Sequence, residues 1–182
     1  RTLTMKPILA KGIHATDDDI QKALDAGADW VLVVGRIPKI HSKKCLIEPF
    51  EIPFHKPFTF AGNTVSGRVG FYLTLTSSDG WQAEGEAAPL PGTSPETLKK
   101  CQHDLEEILP VLKNLELPAE KKYLIKELRQ NERLSQLCPS AKCAVESAIF
   151  NLAARANHQS LAEFLDFPLE DVSTAALLQG TY

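Results

Sequence analysis

Hydrophobic and polar positions follow two rhythms along this chain. Between residues 68 and 77, Phe71, Leu73 and Leu75 alternate with Tyr72, Thr74 and Thr76, the period of a strand with one buried face. Ser77-Ser78-Asp79-Gly80 is turn chemistry, with Gly80 open to positive φ, and residues 81–88 return as the partner strand. Pro89-Leu90-Pro91-Gly92 ends the ladder, because proline has no N–H to donate. Upstream, residues 45–53 read as the first strand of the same meander. Residues 55–64 read as a long loop containing proline, with Gly62-Asn63 as turn material.

From residue 94 the apolar spacing changes to three and four. Ser94, Pro95 and Glu96 supply a capping hydroxyl, a proline at the first helical position and a carboxylate in the first turn. The helix this predicts, over 95–113, carries Leu98, Cys101, Leu105, Ile108, Leu109 and Leu112 on one face. A second, more charged helix is predicted from Pro118 to about Leu137, with Leu124, Leu128 and Leu137 inward. Pro139-Ser140 opens a third, in which Ala141, Ala144, Val145, Ala148, Leu152 and Ala153 make a face suited to close packing. Ser160 begins a short helix, and residues 172–180 read as one buried strand. A meander of about three antiparallel strands backed by three helices is an α+β arrangement.

The amino-terminal stretch reads differently. Residues 6–12 form a short buried strand that leaves Lys11 near its end, and residues 30–34 are an all-apolar run, as in a parallel strand covered on both faces. Between them Thr16 caps a helix with Asp17-Asp18-Asp19 in its first turn, Ile20, Ala23 and Leu24 on one face, and Gly27 at its end. This is a βαβ unit. Residues 37–44, with Lys39, Lys43, Lys44 and His41, read as a basic connector, which places a boundary near Lys44.

Composition narrows the functional classes. At 182 residues, 43% apolar and 24% charged, the chain is ordinary globular protein. A net charge of −3 gives no reason to expect nucleic acid or an anionic membrane as partner. No apolar run reaches the roughly 18 residues of a spanning helix, and no signal-peptide pattern opens the chain. Cys45, Cys101, Cys138 and Cys143 form neither CxxC nor a zinc spacing. They read as reduced thiols of a cytoplasmic protein. No three carboxylates have the setting of a hard-cation site, so no metal ligand is predicted here. Glu84 and Glu86 share a strand face and are read as one exposed residue and one anchor for a backbone N–H or an arginine. Both ends of the chain read as truncated.

The order of strand, turn, strand, then GEAAPLPG and Ser94-Pro95-Glu96-Thr97-Leu98, resembles the N-terminal capping domain of the enolase superfamily. It is most similar to o-succinylbenzoate synthase; the muconate-lactonizing and dipeptide-epimerase branches share a looser version. The resemblance implies a capping domain over 45–171 and, over 172–182, the first strand of a truncated (β/α) barrel. It implies a Mg²⁺-dependent lyase of menaquinone biosynthesis that dehydrates a cyclohexadiene carboxylate to its aromatic product. The catalytic lysines and acidic metal ligands would lie on barrel strands beyond Tyr182, so the chain alone would bind no Mg²⁺ and turn over nothing. What falls to this chain is substrate selection through two loops, 55–64 and 86–93, with Phe60, Asn63, Thr64, Arg68, Glu86, Leu90 and Pro91 facing a small-molecule carboxylate. Phe58 and Phe60 also fit a simpler part, pinning their loop to the domain core, and Arg68 also fits a surface arginine beside a turn. Asn151 stands where many members carry Asp, a structural position.

Residues 6–38 resemble a strand–helix–strand segment of indole-3-glycerol-phosphate synthase, a TIM-barrel enzyme. That resemblance makes Lys11 the counterpart of a general-acid lysine and puts Arg36 near it. About 45 residues supply neither the acidic base nor the second lysine, and cannot close an eight-stranded barrel. Other readings stay open: a dipeptide epimerase or racemase of the same superfamily, or a non-catalytic module. Without a barrel, uncovered apolar surface would favour self-association.

Overall fold

The computed structural model describes residues 9–11, 17–32, 39–60 and 62–167. They fall into two compact units divided between residues 38 and 39.

The first unit contains β1 (Leu9–Lys11), α1 (Asp17–Asp25) and β2 (Trp30–Leu32). The two strands are parallel, with Lys11 opposite Leu32. Helix α1 ends through Gly27, whose φ is +90°; its N–H donates to Leu24 O at 2.9 Å, and Ala28 N–H to Ala23 O at 3.1 Å. Ile20 and Ala23 are half-buried, whereas Leu24, placed on the apolar face by its spacing, is exposed. Thr16, Arg36 and the strand expected over 172–182 lie outside the described residues.

The second unit is built on a four-stranded sheet of β3 (Lys39–Phe60), β4 (Asn63–Ser77), β5 (Gln82–Ala87) and β6 (Glu116–Pro118). Its order is β5-β4-β3-β6, antiparallel throughout. Among the described residues, five helices accompany it: α2 (Leu98–Leu112), α3 (Lys121–Gln130), α4 (Glu132–Ser135), α5 (Pro139–Ala156) and α6 (Leu161–Leu165). The arrangement is α+β.

The alternation in β4 fixes which face meets the helices. Leu73 and Leu75 are fully buried and Phe71 nearly so, packed with Cys101, Leu105, Ile108 and Leu112 of α2 and with Val145, Ala148 and Leu152 of α5. Each of the Leu, Ile, Val and Phe side chains among these contributes roughly 1.5–3 kcal/mol relative to exposure. The other face carries Leu46, Phe50, Ile52 and Tyr72; Phe50 stacks on Tyr72 with ring centroids 4.5 Å apart, while Leu46 and Ile52 remain exposed.

Two expectations about the strands change. Residues 39–44, read as a connector, are strand: Lys39, Ile40 and His41 pair with Pro118, Leu117 and Glu116. The charged side chains that suggested a linker sit on the rim, where Lys39 Nζ meets Glu116 Oε2 at 2.7 Å, while Ile40 and Leu117 are buried. Residues 55–64, read as a loop, are largely a hairpin arm in which Phe58, Thr59 and Phe60 pair with Val65, Thr64 and Asn63, after an irregularity between Pro53 and Phe58. Proline does not break this strand because, among the described residues, β3 beyond Ser42 is paired on one side only. Pro49 and Pro53 are four apart, so their nitrogens face the same edge of the strand, and an edge strand tolerates a missing N–H.

The helix starts also shift. Thr97, not Ser94, caps α2, accepting from Lys100 N–H at 3.2 Å. The predicted helix over 118–137 divides because Asn131 caps a new one, its Oδ1 accepting from Leu134 N–H at 3.2 Å; Pro118 itself lies in β6. Helix α5 and the short helix beginning at Ser160 follow the expectation; at the start of α6, Ser160 and Glu163 form a capping box.

Candidate functional site

The start of β4 runs beside the loop that follows β5. Together they enclose a cavity of about 190 Å³, lined by Glu51, by residues 64–69, and by Pro89, Leu90 and Pro91. Four of the seven residues expected to face a substrate therefore come together: Thr64, Arg68, Leu90 and Pro91.

Each wall has a local cause. At Gly67 an added Cβ would lie 2.8 Å from Ile52 O and 3.2 Å from Pro53 Cα. Bare backbone is needed where β4 crosses the end of the regular ladder, and Gly67 sits opposite Pro53 there. The loop wall is held from within: Leu90 N–H donates to Ser94 Oγ at 2.9 Å, and Leu90 O accepts from Thr93 N–H at 3.0 Å and Ser94 N–H at 2.9 Å. Pro89 and Pro91 limit the loop's freedom further. So Ser94 organises the loop rather than the helix it was expected to cap. Arg68 joins the two walls: its Nη2 donates to Ala88 O, and the side chain is half-buried.

The remaining expected residues lie elsewhere. Asn63 is exposed at the tip of the arm, paired in register with Phe60. Glu86 is on β5 opposite Tyr72. Glu84 and Glu86 are both exposed, and Glu84 lines a hollow together with Asn151 and Arg155 of α5. Thr64 Oγ1 is 3.2 Å from Thr59 Oγ1. Lys11 closes β1 in the other unit. The lining residues that the motif reading missed are Glu51, Val65, Ser66, Gly67, Val69 and Pro89. The signal for them was positional: Glu51 and Val69 are cross-strand partners, and a glycine inside a strand marks close backbone approach.

Chemically, this cavity offers surfaces that can hold and orient a small polar group. A guanidinium with several donors in one plane lends itself to recognition of a polar or anionic group, and Arg68 supplies one to the lining. At about 190 Å³ it is smaller than the ~300 Å³ at which ligand pockets begin, the size of a partial wall. A larger hollow of about 550 Å³ lies between α2 and α4, beside Lys100, Asp104, Glu132 and Arg133. Its buried carboxylate, Asp104, is already satisfied by Lys100 Nζ at 2.6 Å and Cys138 N–H at 2.9 Å. Among the described residues no three His, Cys, Asp or Glu side chains are grouped to hold a metal ion, and no helix is long and apolar enough to cross a membrane.

A family model described as MenC, N-terminal domain, matches residues 43–152. The chain belongs to this family. The MenC domain is the enolase-superfamily capping domain of o-succinylbenzoate synthase. A search of curated proteins found no match. Among solved structures, the chain is similar to a dipeptide epimerase from Enterococcus faecalis complexed with Mg and the dipeptide L-Leu-L-Tyr, at 20% identity and TM-score 0.59, over 69% of this chain and 34% of that one. A dipeptide epimerase from Methylococcus capsulatus complexed with Mg and L-Arg-D-Lys matches at 23% identity and TM-score 0.59, over 69% and 34%. A muconate lactonizing enzyme from Pseudomonas fluorescens complexed with muconolactone matches at 17% identity and TM-score 0.60, over 72% and 35%. At these identities the likeness establishes the fold. The MenC-domain chain spans about a third of the length of each of these structures. The family match begins at residue 43, and none of these findings supports the indole-3-glycerol-phosphate synthase resemblance of the residues before it.

Proposed function

We propose that the chain is the substrate-selecting, amino-terminal part of an o-succinylbenzoate synthase-type lyase acting in the cytoplasm. The observation that carries this reading is the match of residues 43–152 to the MenC domain in particular, rather than to the superfamily's shared fold. The reaction is loss of water from a cyclohexadiene carboxylate to give the aromatic o-succinylbenzoate. In the complete enzyme Mg²⁺ supplies charge stabilisation as the proton beside the carboxylate is removed. The described residues of this chain do not offer a ligand set for that ion, and no step here is routed through it.

What the chain contributes is binding and exclusion of water. Thr64, Leu90 and Pro91 form one side of the substrate's enclosure, with Arg68 as the cation beside them. Asn63 and Phe60, at the tip of the arm, and Glu86 on β5 complete the proposed substrate-facing set. The protein isolated from its source, given Mg²⁺ and the cyclohexadiene carboxylate, is expected to form o-succinylbenzoate, and to stop when the metal is chelated. The 182-residue chain by itself is expected to form none. Epimerisation of dipeptides without any dehydration, in the same substrate panel, would replace this reading with the epimerase branch.

A further inference from the structure

Arg68 stands where three constraints meet. It opens the regular part of β4, opposite Ile52 of β3. It lines the cavity between the hairpin arm and the loop after β5. Its Nη2 donates to the carbonyl of Ala88, the residue just before Pro89. Ala87 is the last residue of β5, so Ala88 is where that loop leaves the sheet. Pro89 follows at once and has no N–H with which to rejoin a ladder. The loop beyond is organised around Leu90, through its bonds with Thr93 and Ser94. Among the described residues, the Arg68–Ala88 hydrogen bond links this loop to the arm through a side chain. A guanidinium suits that place, because several donors project from one plane and one of them can be committed while others remain.

We propose that Arg68 is a positioning residue that ties the loop after β5 to the hairpin arm, so that both walls of the cavity move as one body. This rests on the reading of the cavity as a substrate wall, and extends it: Arg68 acts through Ala88 and the loop as well as by its charge. The two loops then select substrate jointly, and a change in one alters what the other presents. Losing the tie leaves β4 itself in place, because Leu73 and Leu75 are held by the core.

The test compares Arg68→Met and Arg68→Lys. In the 182-residue chain, hydrogen exchange at the Leu90, Thr93 and Ser94 amides is expected to quicken about tenfold or more in Arg68→Met, the scale of one lost charge-assisted hydrogen bond. The amides of Leu73 and Leu75 should stay unchanged, and Arg68→Lys should restore part of the protection. In the protein from its source, Arg68→Met should raise KM about tenfold with kcat within about twofold. Unchanged exchange at the three loop amides would overturn the tie. Quickened exchange with KM unaltered would overturn the shared role in selection. Absence of lyase activity in the unaltered protein would instead count against the proposed function and leave the exchange result standing.

Discussion

Gly85 lies directly under the carbonyl of Ala144: a Cβ added to Gly85 would come within 1.9 Å of that oxygen and 2.7 Å of its carbon. Strand β5 and helix α5 therefore touch backbone to backbone. The small-residue face of α5, with Ala141, Ala144 and Ala148 all buried, allows the same approach from the helix side. A clash with backbone cannot be relieved by turning a side chain, so Gly85→Ala is expected to destabilise the second unit by about 3 kcal/mol or more. At Gly80, φ is +87° and nothing lies within 4 Å of an added Cβ, so Gly80→Ala should cost only about 1–2 kcal/mol, from backbone strain. Urea unfolding of the two variants side by side checks the ranking, and equal losses would contradict it.

Helix α5 has no side-chain cap of its own at Cys138. Its orphan N–H groups are taken by two carboxylates from the neighbouring segment: Cys138 N–H donates to Asp104 Oδ2 at 2.9 Å and Ser140 N–H to Glu96 Oε1 at 2.9 Å. Burial pulls both carboxyls upward, but these bonds, with that from Lys100 to Asp104, outweigh it and hold them below their ordinary values of 3.8 and 4.5. A depressed folded pKa gives stability that is complete above the ordinary value and lost as pH falls through the folded one. Stability should thus be level from about pH 7 to 5 and drop below about pH 4. Asp104→Asn should lower stability near pH 7 by about 2 kcal/mol and flatten the acid limb. An unaltered acid limb in that variant would assign the pH dependence to other groups.

The four cysteines should separate by reactivity. Cys143 is exposed and Cys101 and Cys138 are buried. Burial pushes the Cys45 thiol up to about 12. Burial, with Cys138 alongside, does the same to Cys101, also to about 12. Because the thiolate is the nucleophile, iodoacetamide near pH 8 should modify Cys143 first and Cys101 only after unfolding. Peptide mass mapping over time reads this order; labelling of Cys101 at the rate of Cys143 in the folded chain would refute it.

Thr97→Ala and Ser94→Ala should separate two functions that the sequence runs together. Thr97 caps α2, and its loss should cost about 1 kcal/mol in global stability. Ser94 holds Leu90 N–H, so its loss should leave α2 intact and speed exchange at Leu90. Circular dichroism melts with site-resolved exchange distinguish the pair. Loss of helix in Ser94→Ala would restore Ser94 as the cap.

Where one residue type had one physical task, the sequence was enough to read it. The alternation of Phe71, Leu73 and Leu75 set a buried face, Ala141 to Ala153 set a close-packed helix, and Ser160 opened a short one. Errors came where local rules competed. Ser94 and Thr97 both fit a cap three residues apart, and the choice went to Thr97 because Ser94 was taken by Leu90. Asn131, inside an apparently continuous helix, was free to cap a new one. Lys39 to Lys44 looked like linker because a strand at the sheet rim carries charges outward.

By itself, the sequence determined the β4–β5 meander and its buried face, the apolar faces of α2 and α5, and the motif that places residues 43–152 in the MenC family. These follow from periodicity and turn chemistry, which act between near neighbours along the chain. The tertiary structure alone decided that β6 joins β3, that the carboxylates of Asp104 and Glu96 finish the start of α5, and that Arg68 reaches Ala88. Each of these joins groups at least twenty residues apart, and a side chain's partner at that distance is settled by packing, which leaves no local pattern in the sequence.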